Sequence, residues 1–251
     1  MNAVWKPVAN YWPGRGGERV RAICLHVAEG DRAGVLSWFE NPASDASAHF
    51  LVNKDGTVWQ FVDTDDTAWA NGVVNAPDLT LPWLADCVRR GQNPNRLTIA
   101  IETERHWREP LTAPQHTALV ALLREVLARY GLPPDREHIV PHAAIDSVNR
   151  ANCPGNVDWP RLLADLAAPA ESRTFPETGR AVRGAFLTFW RERGGLPLFG
   201  YPLTGEFVER GLTVQCFERA RFELHPDAPA DQRVQLGRVG AELLAAMSGE
   251  R

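Results

Sequence analysis

Cysteine is scarce in this chain. Four occur in 251 residues, at Cys24, Cys87, Cys153 and Cys216, widely spaced and without a CxxC pair. That excludes a disulfide framework as the source of stability. Cys24, Cys87 and Cys216 read as small apolar core residues. Long hydrophobic runs are missing as well: no segment reaches the roughly 18 apolar residues a membrane helix needs, so no membrane span is expected. Nor is there an excess of one charge. A formal net charge of −4 excludes the basic footprint of a nucleic-acid binder and is too small for an acidic tail. Lysine stands only at Lys6 and Lys54, the other basic residues being arginine, which fits a genome bias or a hot habitat. The N-terminal stretch MNAVWKPVANYWPGRGG lacks the charged start and apolar run of a secretory leader. The expectation is synthesis in the cytosol with export by another route, or a leader already removed. What is present is 44% apolar residues, enough for a packed core. The length exceeds one average domain and falls short of two large ones.

Patterning divides the chain. RVRAICLHV (19–27) reads as a buried strand, and Asp31 can cap a helix through Trp38 and Phe39. AHFLVN (48–53) and TVWQFV (57–62) read as a hairpin joined at Asp55-Gly56. A proline-rich loop with a short helix near 81–90 precedes a strand LTIAIE (97–102). Thr112 and Gln115 form a capping box ahead of a long helix whose Leu119, Leu122, Leu123, Val126 and Leu127 share a face. His138-Ile139-Val140 reads as a short strand, and Asp158 caps a last helix. Strands alternating with helices imply an α/β fold, a mixed β-sheet flanked by helices. The reading is a catalytic domain over 1–168, a linker over 169–174 (within APAESRT), and a small α+β module over 175–251 with a helix at 180–194, a GGLPLFGYPLT turn segment, a hairpin and a final helix.

Three residues carry the chemistry: His26 at the end of an apolar strand, His142 after HIVP, and Cys153 in NRANCPG. A lone histidine on an apolar strand is more often a satisfied core residue than a ligand. Two of them with a cysteine beside Pro-Gly make a set that suits zinc, which favours imidazole and thiolate. A catalytic zinc site uses three protein ligands and keeps one position open. Glu102 ends LTIAIE, facing away from its neighbours along the strand, where a carboxylate can shuttle a proton. On spacing alone the reading as a surface glutamate at a strand terminus is favoured over the catalytic one.

The ordered pieces ICLHVAEG, SAHFLVNKDGTVWQFVDTDDTAWANG, LTIAIE and VPHAAIDSVNRANCPG resemble the type-2 N-acetylmuramoyl-L-alanine amidase family, which includes phage lysozyme-type amidases and peptidoglycan recognition proteins. The likeness covers roughly residues 15–165. It implies Zn²⁺ held by His26, His142 and Cys153, with Glu102 as the catalytic glutamate. The implied reaction is hydrolysis of the bond between N-acetylmuramic acid and L-alanine in bacterial peptidoglycan. Two positions depart from the family. Ala151 stands where many relatives have Lys or Thr, leaving the oxyanion partner unassigned beyond a reach by Arg150. Ala70 stands where many have His, and Trp69 and Asn71 are the groove-lining candidates. His49 reads as structural, packed under the zinc site; His106, His116, His138 and His225 receive no role.

The C-terminal segment, with LFGYP, resembles the LGFP-carrying modules found beside bacterial cell-wall enzymes. Its aromatics (Phe186, Phe189, Trp190, Phe199, Tyr201, Phe217, Phe222) fit either a sugar-stacking surface or a small core, the core being favoured because 186, 189 and 190 share a helical face. Acidic and basic residues balance there, so charge-driven wall anchoring is not implied. Three other readings stand beside the wall amidase. One is a peptidoglycan-recognition protein that binds without cutting. Another is an amidase acting on soluble anhydro-muropeptides, and the third is a structural zinc site. The missing leader also suggests an endolysin released by a phage-type route.

Overall fold

A computed structural model describes residues 3–168, 171–225, 228 and 232–248. The chain forms two compact units, Met1–Ala167 and Ala168–Arg251.

The first unit is built on a mixed six-stranded sheet. Its strands in chain order are β1 (Val4–Trp5), with β2 (Tyr11–Trp12) outside the sheet, then β3 (Ala22–Val27), β4 (Phe50–Val52), β5 (Val58–Gln60), β6 (Thr67–Ala68, paired with β2), β7 (Thr98–Thr103) and β8 (Ile139–Pro141). The spatial order is β1-β5-β4-β7-β3-β8. Strands β4, β7, β3 and β8 run parallel, and only the β4–β5 hairpin, turning at Asp55-Gly56, is antiparallel. The helices are α1 (Arg32–Glu40), α2 (Pro82–Arg89), α3 (Ala113–Tyr130) and α4 (Trp159–Ala167).

Three of the four helices start where the sequence places a cap, while α2 begins after Leu81 with Pro82 in its first turn and no side-chain cap. Asp31 accepts from the Gly34 amide at 2.8 Å. Thr112 and Gln115 form the reciprocal capping box, and Asp158 accepts from the Arg161 amide at 3.1 Å. Strand alternation then sorts the side chains. Ile23, Leu25, Ile99, Ile101 and Ile139 face α3 and α4, packing on Leu119, Leu123, Val126 and Leu162. From the same strands, Ala22, Cys24 and Val140 face α2, while Ala100 and Leu51 face Val35 and Phe39 of α1. The sheet is thus covered on both faces, as expected of a parallel core.

In the second unit β9 (Ser172–Phe175) pairs with β10 (Arg180–Arg183), followed by α5 (Gly184–Glu192) and α6 (Gly195–Phe199). A four-stranded antiparallel sheet, β11 (Phe207–Glu209), β12 (Leu212–Cys216), β13 (Arg221–Leu224) and β14 (Val234–Leu236), precedes α7 (Val239–Ser248). Three expectations are corrected here. Residues 180–183 are strand, because Gly184 at φ +50° breaks the chain where a continuous helix was expected. GGLPLF contains the short helix α6 rather than turns alone. Of the 169–174 linker, Ser172 onward is strand, while Pro169 and Ala170 lie outside the described residues. Phe186, Trp190, Phe199, Phe217 and Phe222 are buried with Phe175 and Val182, and Phe189 and Tyr201 pack against them. The aromatics are a core, not a stacking surface.

Candidate metal centre

Register brings the chemistry together. On adjacent parallel strands His26 is paired with Glu102, and both are the penultimate residues of β3 and β7. Both lie on the face opposite Ile101 and Leu25. Leu25 is paired with Pro141, so the next residue, His142, opens a single helical turn beside His26. The two imidazole rings are 4.3 Å apart, centroid to centroid, tilted by 58°. Cys153 arrives from the following loop. Its carbonyl accepts from the Ala143 amide at 3.0 Å, and its Sγ accepts from the Val27 amide at 3.4 Å. One ligand atom each from His26, His142 and Cys153 lies within 4.8 Å of the others.

The donor chemistry fits a divalent cation. Burial pushes both histidines below their ordinary value, His26 strongly, so both are neutral imidazoles with a lone pair at neutral pH. His142 Nε2 lies 3.0 Å from the Asn71 carbonyl, which can only accept; the proton therefore sits on Nε2 and Nδ1 is left to ligate. His26 Nε2 and Glu102 Oε2 are buried without hydrogen-bond partners among the described residues. Such orphans are costly unless something absent from the protein chain satisfies them. Burial and the Glu102 charge push the Cys153 thiol up to about 12, the state a bound cation would reverse.

Glu102 has one oxygen 4.0 Å from His26 Nδ1. Burial raises its carboxyl to about 8, with Arg150 pulling the other way. The cluster opens into a cleft of about 800 Å³ lined by Trp38, Trp69, Trp107, Arg150 and Asn152 among others. Trp69 lines it and packs against Trp12, the ring centroids 5.6 Å apart and the planes tilted by 57°. Arg150 lines it with its side chain exposed. Ala70 and Ala151 also lie on the wall.

Asn71 does not meet its expected place in the groove. It is 1% exposed, its amide donating to Thr98 Oγ1 at 2.9 Å and its carbonyl oriented on His142. Its carbonyl holds the His142 ring, and its side chain does not line the cleft. His49 is buried, accepting at Nδ1 from the Ala100 amide at 3.0 Å, with Nε2 3.2 Å from the Asp66 carbonyl. His116 and His138 pair with Asp165 and Asp135 away from the cluster. Cys24 and Cys87 are fully buried and Cys216 partly so. Trp38 and Trp107 were missed by the sequence reading. Trp38 is 56% exposed on a helix whose other aromatic, Phe39, is core, and an exposed tryptophan beside a buried phenylalanine is not visible in periodicity.

An α/β sheet carrying a His-His-Cys cluster and a neighbouring buried carboxylate at its carboxyl-terminal edge defines a candidate metal-dependent hydrolase. The family model described as N-acetylmuramoyl-L-alanine amidase matches residues 16–156, and the chain belongs to that family. N-acetylmuramoyl-L-alanine amidase A of Achromobacter lyticus is 37% identical over 68 residues, 27% of this chain and 38% of that protein. The 1,6-anhydro-N-acetylmuramyl-L-alanine amidase AmpD of Salmonella typhimurium is 31% identical over 122 residues, 48% of this chain and 57% of that protein. The chain thus spans well under two thirds of these relatives. A solved structure, a selenomethionine derivative of AmpD, superposes with a TM-score of 0.53 at 21% identity, covering 66% of this chain and 96% of that one. That likeness carries the fold: a mixed sheet flanked by helices, as expected.

Proposed function

We propose that the chain is a zinc-dependent N-acetylmuramoyl-L-alanine amidase that hydrolyses the amide between N-acetylmuramic acid and L-alanine in peptidoglycan. The observation that carries this is the convergence of His26, His142 and Cys153 within 4.8 Å at an open cleft, in a chain of the amidase family. When bound, zinc would supply Lewis-acid polarisation of the carbonyl and an activated water. The residues of the chain do the rest. His26, His142 and Cys153 hold the cation, and the Asn71 carbonyl keeps His142 in the ligating tautomer. Glu102, at the cluster edge, has a carboxyl that the charge of a bound cation would lower into the ionised range, where it accepts a proton from the attacking water and passes it to the leaving nitrogen. The Arg150 guanidinium adds positive charge on the cleft wall, where negative charge develops on the carbonyl oxygen. Trp38 and Trp69 offer apolar ring faces to a sugar.

Purified peptidoglycan sacculi incubated with the protein should release peptides with a new L-alanine N-terminus. A chelator should abolish release and added zinc restore it. Binding to sacculi without release would instead favour a recognition protein. A second reading, an amidase of soluble anhydro-muropeptides, is favoured by the likeness to the AmpD amidases. Turnover of intact sacculi against anhydro-muropeptides separates the two, and the whole wall is the substrate we propose. That choice includes action outside the cytosol and a lytic, endolysin-like role. Retention on the wall through the 175–251 module would have to use surfaces other than its buried aromatics.

A further inference from the structure

Arg105 is 1% exposed and heads the fully buried side chains ranked by size. Burying a guanidinium is costly unless its donors are satisfied. They are satisfied mainly by backbone. Nη1 donates to the carbonyls of Glu109 at 2.6 Å and Asn156 at 3.3 Å, and Nη2 to the carbonyl of Pro154. Nε donates to Thr103 Oγ1 at 3.1 Å. That hydroxyl in turn donates to the His26 carbonyl at 2.9 Å. The result is a buried chain of hydrogen bonds from the main chain of His26, through Thr103 and Arg105, to the residue that follows Cys153.

The loop is pinned from its other side too. Gly155, at φ +78°, lies so close to Trp107 that a Cβ there would fall 2.4 Å from the Trp107 carbonyl oxygen. The Asn156 amide donates to that same oxygen at 2.8 Å. The Cys153–Asn156 segment therefore has little freedom to settle elsewhere while Arg105 is in place. Burial opposes the charge of Arg105, and the nearby Cys153 favours it ahead of Glu109 and Glu29.

We propose that Arg105 is a positioning residue for the metal centre: its fork clamps the Cys153 loop to the strand carrying His26 and so fixes where the sulfur sits relative to the two imidazoles. The proposal rests on the metal reading above. Lysine at this position would keep the charge but could not bridge Thr103, Pro154 and Asn156 in one plane.

The test compares the parent with R105K, R105Q and T103V, each stripped of metal and titrated with Co²⁺. The readouts are the thiolate-to-cobalt absorption in the near ultraviolet and the visible ligand-field bands, with thermal unfolding of the metal-free proteins measured in parallel. R105K and R105Q should bind Co²⁺ roughly 10–100-fold more weakly, the range seen when groups that orient a ligand are lost. Their sulfur band should weaken or shift. T103V should move the same way by less. A merely structural Arg105 would lower the melting temperature and leave affinity and sulfur band at parent values in every folded variant; that result overturns the proposal. If R105Q does not fold, R105K and T103V decide by the same criteria. A parent that binds no Co²⁺, or binds it without a sulfur band, overturns the metal reading itself and this proposal with it.

Discussion

The two faces of the central sheet are made by the same strands and obey different rules. Toward α3 and α4, Ile23, Leu25, Ile99 and Ile101 pack into one buried apolar cluster. Toward the cleft, one residue along each strand, stand His26 and Glu102, each with a buried polar atom lacking a partner. The first face is complete as it stands. On the second, His26 Nε2 and Glu102 Oε2 are left without partners among the described residues, and that asymmetry marks the candidate site. A face built for stability satisfies its polar groups, whereas a face built for chemistry keeps some of them free.

The sharpest way to break the comparison is at Glu102. Glu102→Ala should keep the metal and lower turnover of sacculi by about 10²–10⁴-fold, the usual worth of a positioned acid–base group. Turnover near the parent level would require another base. On the opposite face, Leu123→Ala should cost about 2–5 kcal/mol of stability while leaving the metal affinity of the folded protein unchanged. Urea unfolding and Zn²⁺ titration check both halves, and a loss of affinity would show the faces to be coupled. Trp38→Ala should raise KM for sacculi roughly 2–10-fold, matching the 0.5–1.5 kcal/mol expected of a ring contact, with stability unmoved because the ring is exposed. An unchanged KM would remove Trp38 from the substrate path.

The smallest effect concerns pH. Burial holds His49 down from 6.5 to about 3. Between those values the unfolded chain binds a proton that the folded one does not, so stability rises with pH across the window and drains away on acidification from about 6.5 toward 3. His49→Gln should flatten that part of the curve of unfolding free energy against pH. A slope parallel to the parent's would show that His49 is not the group responsible.

Much of this was legible in the sequence because the relevant signals are local. The alternation that separates Ile101 from Glu102, the Thr112–Gln115 box and the Asp55-Gly56 turn each depend on a few neighbouring residues. His26 and His142 could be named as strand-end residues, but their approach depends on the register of β3 against β7 and β8, which no local pattern states. Asn71 was misread for the same reason: next to Trp69 it looked like groove, while the fold turns its carbonyl onto His142 and buries its amide. Arg105 was invisible, since a charged residue just past a strand reads as surface until its carbonyl partners are seen. The helix expected over 180–194 failed at Gly184, where a positive φ outweighed a continuous apolar period.

X-ray absorption at the zinc edge on the purified protein tests the central claim most directly. Two imidazole nitrogens at about 2.0–2.1 Å and one sulfur at about 2.3 Å, with a light atom completing four ligands, is the shell the account predicts, and Cys153→Ser should remove the sulfur. Absence of stoichiometric zinc, or a shell that Cys153→Ser leaves unchanged, would contradict it.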